Sequence, residues 1–148
     1  MQFNLCKYSF FILKENVVTL WKWVKEMPME DENSRMGESS CIFEPQLLAS
    51  FDHRFGDVNE IQFLTSDVLT TASDDGSVTL LKIDRDNLTS SIQSTGFKFL
   101  QLNKWNKLHS SCNGLSVSGD NIVSVGSGGK MFLLNGRRPG TRIHTYCT

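Results

Sequence analysis

The stretch Asp75-Gly76-Ser77-Val78-Thr79-Leu80-Leu81-Lys82 recurs later in the chain as Gly128-Gly129-Lys130-Met131-Phe132-Leu133-Leu134-Asn135, at an offset of 53 residues. Each copy places a tight turn before an apolar segment that ends in a polar residue. A third copy, Val18-Thr19-Leu20-Trp21-Lys22, differs from Val78–Lys82 at one position. Three partial copies indicate internal repetition, which is the sequence sign of repeat architectures.

The repeated segments predict β-hairpins. Val68–Ser73 and Ser77–Ile83 are rich in Val, Thr, Leu and Ile, which favour strands. The turn between them is predicted at Asp74–Gly76, because Gly76 accepts a positive φ without steric cost. In the next copy Ser127-Gly128-Gly129 is predicted to form the equivalent turn.

Further strand candidates extend each hairpin. Gln46–Phe51 and Phe97–Leu102 each lie before a strand–turn–strand block, and Ile61–Phe63 corresponds to Leu115–Val117 at an offset of 54. Four strands in each unit predict one propeller blade per unit. The excess over the ~40–45 residues of a WD blade is assigned to a polar loop at 84–95. The predicted fold is all-β, an incomplete WD40-type β-propeller with about two blades plus part of a third.

The repeat also sets the expected domain boundaries. Residues 16–135 are predicted to form the partial WD-repeat propeller. Residues 1–15 form an unmatched N-terminal segment and residues 136–148 an unmatched C-terminal tail, because neither resembles the strand expected beside it. The acidic stretch 26–40 has no apolar periodicity and is predicted to be an exposed loop.

Composition narrows the function classes. Of the 148 residues 39% are hydrophobic and 21% charged, which is ordinary for a globular chain. The net charge of −1 gives no electrostatic reason to expect nucleic acid or a membrane surface as the main partner. The apolar run Tyr8–Leu13 is too short to span a bilayer. The four cysteines lack metal-ligand or redox spacing and are expected to be free thiols in a reducing compartment, with no cofactor.

Candidate catalytic motifs give weak signals. His109-Ser110-Ser111-Cys112 places a His near a nucleophile, but its position before a blade's first strand favours a structural loop. Gly126–Lys130 resembles a phosphate loop without the required spacing, and Asp84–Asn87 begins like a calcium loop without its Gly and closing Glu. The chain is therefore predicted not to be an enzyme.

One stretch points to a family. Gln46–Phe63 resembles the first inter-blade passage of the nucleoporin forty-three family, small WD-repeat proteins of the Y-shaped scaffold complex of the nuclear pore. The similarity covers roughly residues 16–134, the N-terminal third or so of the family's seven-bladed ring. It continues through four shorter stretches, at 18–21, 72–79, 112–115 and 122–126. Because the family chain continues through several further blades, we expect this chain to be an N-terminal fragment of such a ring.

The resemblance to WD proteins also implies a buried polar network. In WD blades it joins a His before the first strand, a Ser or Thr on the second, an Asp in the turn and a Trp on the third. Here His53, Ser73 and Asp75 are the candidates, and Leu81 replaces the Trp. Such a network holds a blade in register and has no catalytic meaning.

The family implies a function in the cell. The chain is expected to be a structural component of the nuclear pore complex, at the nuclear envelope, that binds other nucleoporins of the Y-shaped complex. It would support transport of mRNA and protein, with no direct contact to nucleic acid and no membrane insertion. The alternative is a WD-repeat adaptor that recruits substrates, for example to a ubiquitin ligase.

As a fragment, the chain is expected to be oligomeric, aggregating or dependent on a partner. Its terminal blades would present apolar faces meant for missing neighbours. Four side chains are expected on such faces: Leu20, Phe63, Leu80 and Leu133.

Overall fold

Eleven β-strands account for all regular structure in the described part of the chain. The computed structural model describes residues 9–26, 42–85, 96–138 and 142–147. The first sheet contains β1 (Ser9–Lys14), β2 (Val17–Glu26) and β3 (Ile42–Asp52). The second contains β4 (Val58–Phe63), β5 (Val68–Ser73), β6 (Val78–Arg85) and β7 (Phe97–Trp105). The third contains β8 (Cys112–Ser118), β9 (Asn121–Gly126), β10 (Lys130–Asn135) and β11 (Arg142–Cys147).

Each sheet is antiparallel, and its strands lie side by side in chain order. The prediction of an all-β chain is confirmed for the described residues, and the compact three-sheet arrangement is compatible with a propeller-like fold. Short connections explain most neighbouring pairs, because antiparallel strands need only a tight turn between them, whereas β2–β3 and β6–β7 are joined through the longer segments 27–41 and 86–96. Residues 74–76 and 127–129 form such turns, between β5 and β6 and between β9 and β10.

The three copies of the sequence repeat occupy equivalent places. They form β2, β6 and β10, and each of these strands pairs with the strand that follows it. In every sheet this pairing shifts register at the same repeat position: between Leu20 and Trp21, between Leu80 and Leu81, and between Leu133 and Leu134. Because the β-bulge falls at the same repeat position in all three sheets, residues that are equivalent in the sequence repeat are also equivalent in the structure.

Two apolar clusters join the sheets. One lies between the first and second sheets and includes Leu20, Leu69 and Leu81. The other lies between the second and third sheets and includes Leu80, Ile122 and Leu134 together with Val78 and Phe132. Since successive strand residues point to opposite faces, Leu80 and Leu81 of β6 enter different clusters. The second sheet is therefore covered on both faces.

The paired structure extends beyond the predicted boundaries of 16–135. β1 pairs with β2 from Ser9–Lys22 to Lys14–Val17, and β11 pairs with β10. The segments 1–15 and 136–148 had no repeat match, yet each contributes a strand. The physical reason is that ladder hydrogen bonds come from the main chain and do not require a side-chain motif. Because β2 is equivalent to β6, β1 stands at the position of β5, and the described first sheet has no counterpart of β4.

Other expectations about exposure and loops were partly wrong. Leu20 and Leu80 were expected on outward apolar faces but are 0% and 1% exposed, because each points into the cluster shared with the next sheet. Phe63 is 40% exposed and Leu133 half-buried. The predicted loop at 26–40 begins at the end of β2, and the one at 84–95 begins within β6. The rest of both loops lies outside the described residues.

Candidate functional site at the hairpin junction

The turn Asp74–Gly76 meets two other chain segments, 53–57 and 107–111, and we call these three pieces together the hairpin junction. The backbone carbonyl of Gly76 accepts hydrogen bonds from the N–H groups of Leu108 and His109, at 3.1 and 3.2 Å. The N–H of Asp74 donates to the carbonyl of Asp57 at 2.9 Å. The turn of the second sheet is thus tied both to its own entry loop and to the loop that leads into the third sheet.

Gly76 has a φ of +77°, a conformation that favours glycine. A Cβ atom at this position would lie 1.8 Å from the carbonyl oxygen of His109. Gly128 and Gly129 also have positive φ, at +101° and +64°, but a Cβ on Gly128 would meet nothing within 4 Å. Close approach to another loop therefore distinguishes Gly76 from the glycine of the second turn.

His53 is buried beside the second sheet. Its Nε2 lies 3.2 Å from Thr71 Oγ1, and its ring meets Phe51 edge to face at 5.0 Å. Burial, helped by the positive charge of Lys104, lowers the pKa of His53 to about 4. The imidazole is therefore neutral near pH 7 and is held in place by a hydroxyl and a ring.

Ser73 and Asp75, the other two residues of the expected network, have different partners. The hydroxyl of Ser73 donates to the carbonyl of Phe55 at 3.4 Å. The Asp75 carboxylate accepts from the N–H of Ser77 at 2.9 Å, from the Ser77 hydroxyl, and from Lys104 Nζ at 2.8 Å. Burial opposes ionisation of Asp75, but the hydrogen bonds from Lys104 and Ser77 hold its pKa below the ordinary value.

The structure thus divides the predicted network into two parts. Ser73 and Asp75 stay together, since the N–H of Asp75 donates to the Ser73 hydroxyl at 3.5 Å, whereas His53 pairs with Thr71, two residues before Ser73 on β5. Leu81 stands at the Trp position and packs in the apolar cluster between the first two sheets. Lys104 of β7 supplies the contact to Asp75 instead. Sequence reasoning missed Thr71 and Lys104, because their partners come from other strands.

The third sheet contains a second His–hydroxyl pair. His109 Nε2 lies 3.0 Å from Ser124 Oγ, and the His109 ring meets Phe132 edge to face at 4.9 Å. Ser124 is the repeat equivalent of Thr71, at an offset of 53. The sequence repeat therefore contained a sign of both pairs, because the same repeat position carries a hydroxyl side chain in both copies. Burial lowers the pKa of His109 too.

Cys112 does not have the environment of a nucleophile. Its side chain is fully buried, and its Sγ donates to the carbonyl of Val125 at 3.7 Å. Burial raises the pKa of the thiol to about 11, so the reactive thiolate is scarce near pH 7. The side chain of His109, the candidate base for this thiol, is hydrogen-bonded to the Ser124 hydroxyl instead.

Polar side chains join the second and third sheets beside this junction. Asn59 donates to the Asp74 carboxylate at 2.7 Å and to the carbonyl of Cys112 at 2.9 Å. Ser111 donates to the same Asp74 oxygen at 2.9 Å. These hydrogen bonds from Asn59 and Ser111 lower the pKa of Asp74, which stays ionised at neutral pH. Nearby, Glu60 accepts the backbone N–H of Leu115 at 2.7 Å.

The most exposed hydrophobic side chain at the junction is Phe55, 71% exposed. The backbone around it is constrained. Arg54 has a φ of +64°, and its N–H donates to Asp52 at 2.6 Å. Gly56 has a φ of +80°, and a Cβ there would lie 2.5 Å from the backbone nitrogen of Asp75. Aromatic side chains, Phe included, are enriched in protein–protein interfaces.

Three further observations bear on function. Within residues 9–26, 42–85, 96–138 and 142–147, His, Cys, Asp and Glu form no group of three or more that could hold a metal ion. In the same residues there is no helix with the length and apolar character needed to cross a membrane. No protein-family model matches this chain, and no curated protein matches its sequence.

Proposed function

We propose that the three sheets are consecutive blades of a WD40-type β-propeller, two with four strands and one with three. This proposal is supported by the bulges in β3, β7 and β11, which lie opposite the same repeat position of β2, β6 and β10. So does the packing, because each sheet contacts the next through an apolar cluster. A radial arrangement of such sheets, each covering its neighbour, is how propellers are built.

The role that fits the hairpin junction is protein binding and not catalysis. Its histidines are neutral and bonded to hydroxyl groups, its cysteine is buried, and its carboxylates hold loops together. These contacts make the loops rigid, and rigid loops that present an aromatic side chain favour docking of another protein. Phe55 is the residue through which we expect that docking to occur.

The proposed cellular role is that of a structural component of the Y-shaped scaffold of the nuclear pore, at the nuclear envelope. Its partners would be other nucleoporins, and it would support transport of mRNA and protein. The observation that carries this proposal is the stretch Gln46–Phe63. That stretch resembles the nucleoporin forty-three family, and in the structure it contains the second part of β3, the loop with Phe55 and all of β4.

Affinity purification tests the proposal. The tagged chain, residues 1–148, is expressed in eukaryotic cells and its partners are identified by mass spectrometry. Nucleoporins of the Y-shaped complex should be enriched, and the tag should mark the nuclear rim in microscopy. Phe55→Ala should reduce that enrichment at least several-fold. The matched control is Leu102→Ala, an apolar residue that is 46% exposed on β7 and should leave the enrichment unchanged.

The same experiment addresses the competing function. A WD-repeat adaptor for a ubiquitin ligase would enrich a cullin-linked adaptor protein in place of nucleoporins. That result would contradict the scaffold proposal. Enrichment of nucleoporins that is equal for the unchanged chain and for Phe55→Ala would leave the scaffold role standing but would contradict the docking role of Phe55.

A further inference from the structure

The two internal interfaces of the protein use the same two faces of the repeat. In the second sheet Leu80 points to the third sheet, and Leu81 points to the first. The equivalents of Leu80 and Leu81 follow the same rule, since Leu20 points from the first sheet to the second and Leu134 from the third sheet to the second. Each interface therefore joins the Leu20/Leu80 face of one sheet to the Leu81/Leu134 face of the next.

Among the described residues, one face of each kind lies at each end of the stack of three sheets. The front face of the first sheet carries Trp21, the equivalent of Leu81, which pairs in register with Leu47. Phe43, on the same side of β3 as Leu47, is 52% exposed, and Leu47 is 40% exposed. This front face, defined by Trp21, Phe43 and Leu47, contains large apolar side chains of the kind found in the internal interfaces.

The back face of the third sheet is its counterpart. Leu133, the equivalent of Leu80, pairs in register with Val123, and Met131 pairs with Val125. Val125 is 45% exposed and the other three are half-buried. We define the back face by these four residues. All four are apolar, so the two outer faces match in chemistry as well as in repeat position.

We propose that the front face of one copy packs on the back face of a second copy, in the arrangement that joins neighbouring sheets within the chain. Within one chain the two faces cannot meet, because they lie on opposite sides of the second sheet. Two copies joined head to tail contain six sheets, within the ~4–8 blades that close propeller rings. A head-to-tail contact that closes in this way makes both contacts of the ring identical. This inference goes beyond the proposed scaffold function and needs no other protein.

Variants of the full chain that introduce opposite charges on the two outer faces test the proposal. The front variant is Phe43→Lys with Leu47→Lys, and the back variant is Val125→Glu with Leu133→Glu. In light scattering, the unchanged chain should have about twice the chain mass of 16.7 kDa. Each variant alone should be a monomer, since both contacts of its ring would contain a changed face. An equimolar mixture should regain the doubled mass, because unchanged faces meet at one contact and opposite charges meet at the other.

Leu102→Lys is the matched control, since it places a lysine on an exposed apolar position of β7 in the second sheet, outside both outer faces, and it should stay a dimer. Circular dichroism must show the same β-spectrum for all chains. If a double variant unfolds, the single variants Phe43→Lys for the front face and Val125→Glu for the back face are used instead. The masses expected for them are the same. A folded, monomeric unchanged chain would overturn the proposal. A back variant that dimerises alone would also overturn it, because this result would indicate contact between two front faces. Growth of the unchanged chain into filaments would overturn it as well, because the ring would then not close.

Discussion

At the residue scale, one side-chain pair recurs in two sheets. His53 with Thr71 and His109 with Ser124 each join a histidine from an entry loop to a hydroxyl at the same repeat position. Both pairs are buried, and a buried polar group is costly unless it is hydrogen-bonded. The pairs therefore fix each entry loop to the second strand of its hairpin. This use of histidine explains its presence without any catalytic step.

Replacing Gly76 with Val should destabilise the protein. A β-branched residue at positive φ is strained by about 1–3 kcal/mol, and here the added Cβ also collides with the backbone of His109. Gly128→Val has the strain without the collision, so it is the matched control. Thermal melting should show a larger loss for Gly76→Val than for Gly128→Val. Equal losses would contradict the role of the close approach to His109.

His53 should make stability depend on pH. Its ordinary pKa of 6.5 applies to the unfolded chain, whereas the folded value is about 4. Between these values only the unfolded chain binds the proton, so the free energy of unfolding should rise with pH from about 4 to 6.5. The upper bound is on the order of 3 kcal/mol, at about 1.4 kcal/mol per pH unit.

Denaturant unfolding of the unchanged chain and of His53→Gln, at several pH values, checks this dependence. In the variant, the free energy of unfolding should rise less steeply with pH between about 4 and 6.5. The slope should not vanish, because burial also lowers the pKa of His109. An unchanged slope in the variant would show that His53 is not the group responsible.

At the element scale, each sheet has a β-bulge in the strand that follows the repeat copy, namely in β3, β7 and β11. A bulge inserts one extra residue into its own strand and increases the local twist. In β3 the extra residue is Leu48, which is buried together with its neighbour Ala49. Two adjacent strand residues thus enter the same apolar cluster, which strict alternation would not allow.

The polar contact between β4 and β8 offers a test at this scale. Glu60→Ala removes the acceptor of the Leu115 N–H, which is left buried without a partner. The expected loss is about 1–3 kcal/mol in denaturant unfolding, the cost of an unsatisfied buried donor. Gln62→Ala is the control, because Gln62 bonds Glu60 within the same strand. A loss for Gln62→Ala as large as that for Glu60→Ala would contradict a specific role of the contact between sheets.

At the scale of the whole molecule, stability depends on neighbours. The second sheet is covered on both faces, whereas the first and third sheets each have one face that is partly exposed. In repeat structures each unit is stabilised mainly through its interfaces with the units beside it. The end sheets should therefore unfold more readily than the second sheet unless another chain covers them.

Self-association predicts a melting temperature that depends on protein concentration. Binding of a second copy adds about 1.4 kcal/mol of stability per dimer, or about 0.7 kcal/mol per chain, for each tenfold increase in concentration. For a domain of this size we expect the melting temperature to rise by roughly 1–3 °C for each tenfold increase in concentration. Differential scanning calorimetry at several concentrations provides the measurement. Phe43→Lys should remove the dependence, and a melting temperature of the unchanged chain that stays constant would contradict self-association.

The repeat in the sequence was enough to predict the hairpins. Their turns at 74–76 and 127–129 and their apolar strands follow from local features, namely alternation, β-branched residues and glycine at positive φ. The strands at 9–14 and 142–147 could not be predicted in this way. Their pairing uses main-chain hydrogen bonds, which leave no mark on side-chain identity.

The sequence by itself determined the β-class and the positions of the central turns, because each depends on residues a few places apart, and the repeat, because it is visible when the sequence is compared with itself. Only the tertiary structure decided that His53 meets Thr71, that Lys104 meets Asp75, and that Leu20 and Leu80 are buried. These outcomes depend on how strands and sheets lie against one another. Such contacts join residues that are distant in the chain, and the physical reason that they escape prediction is that local preferences do not specify them.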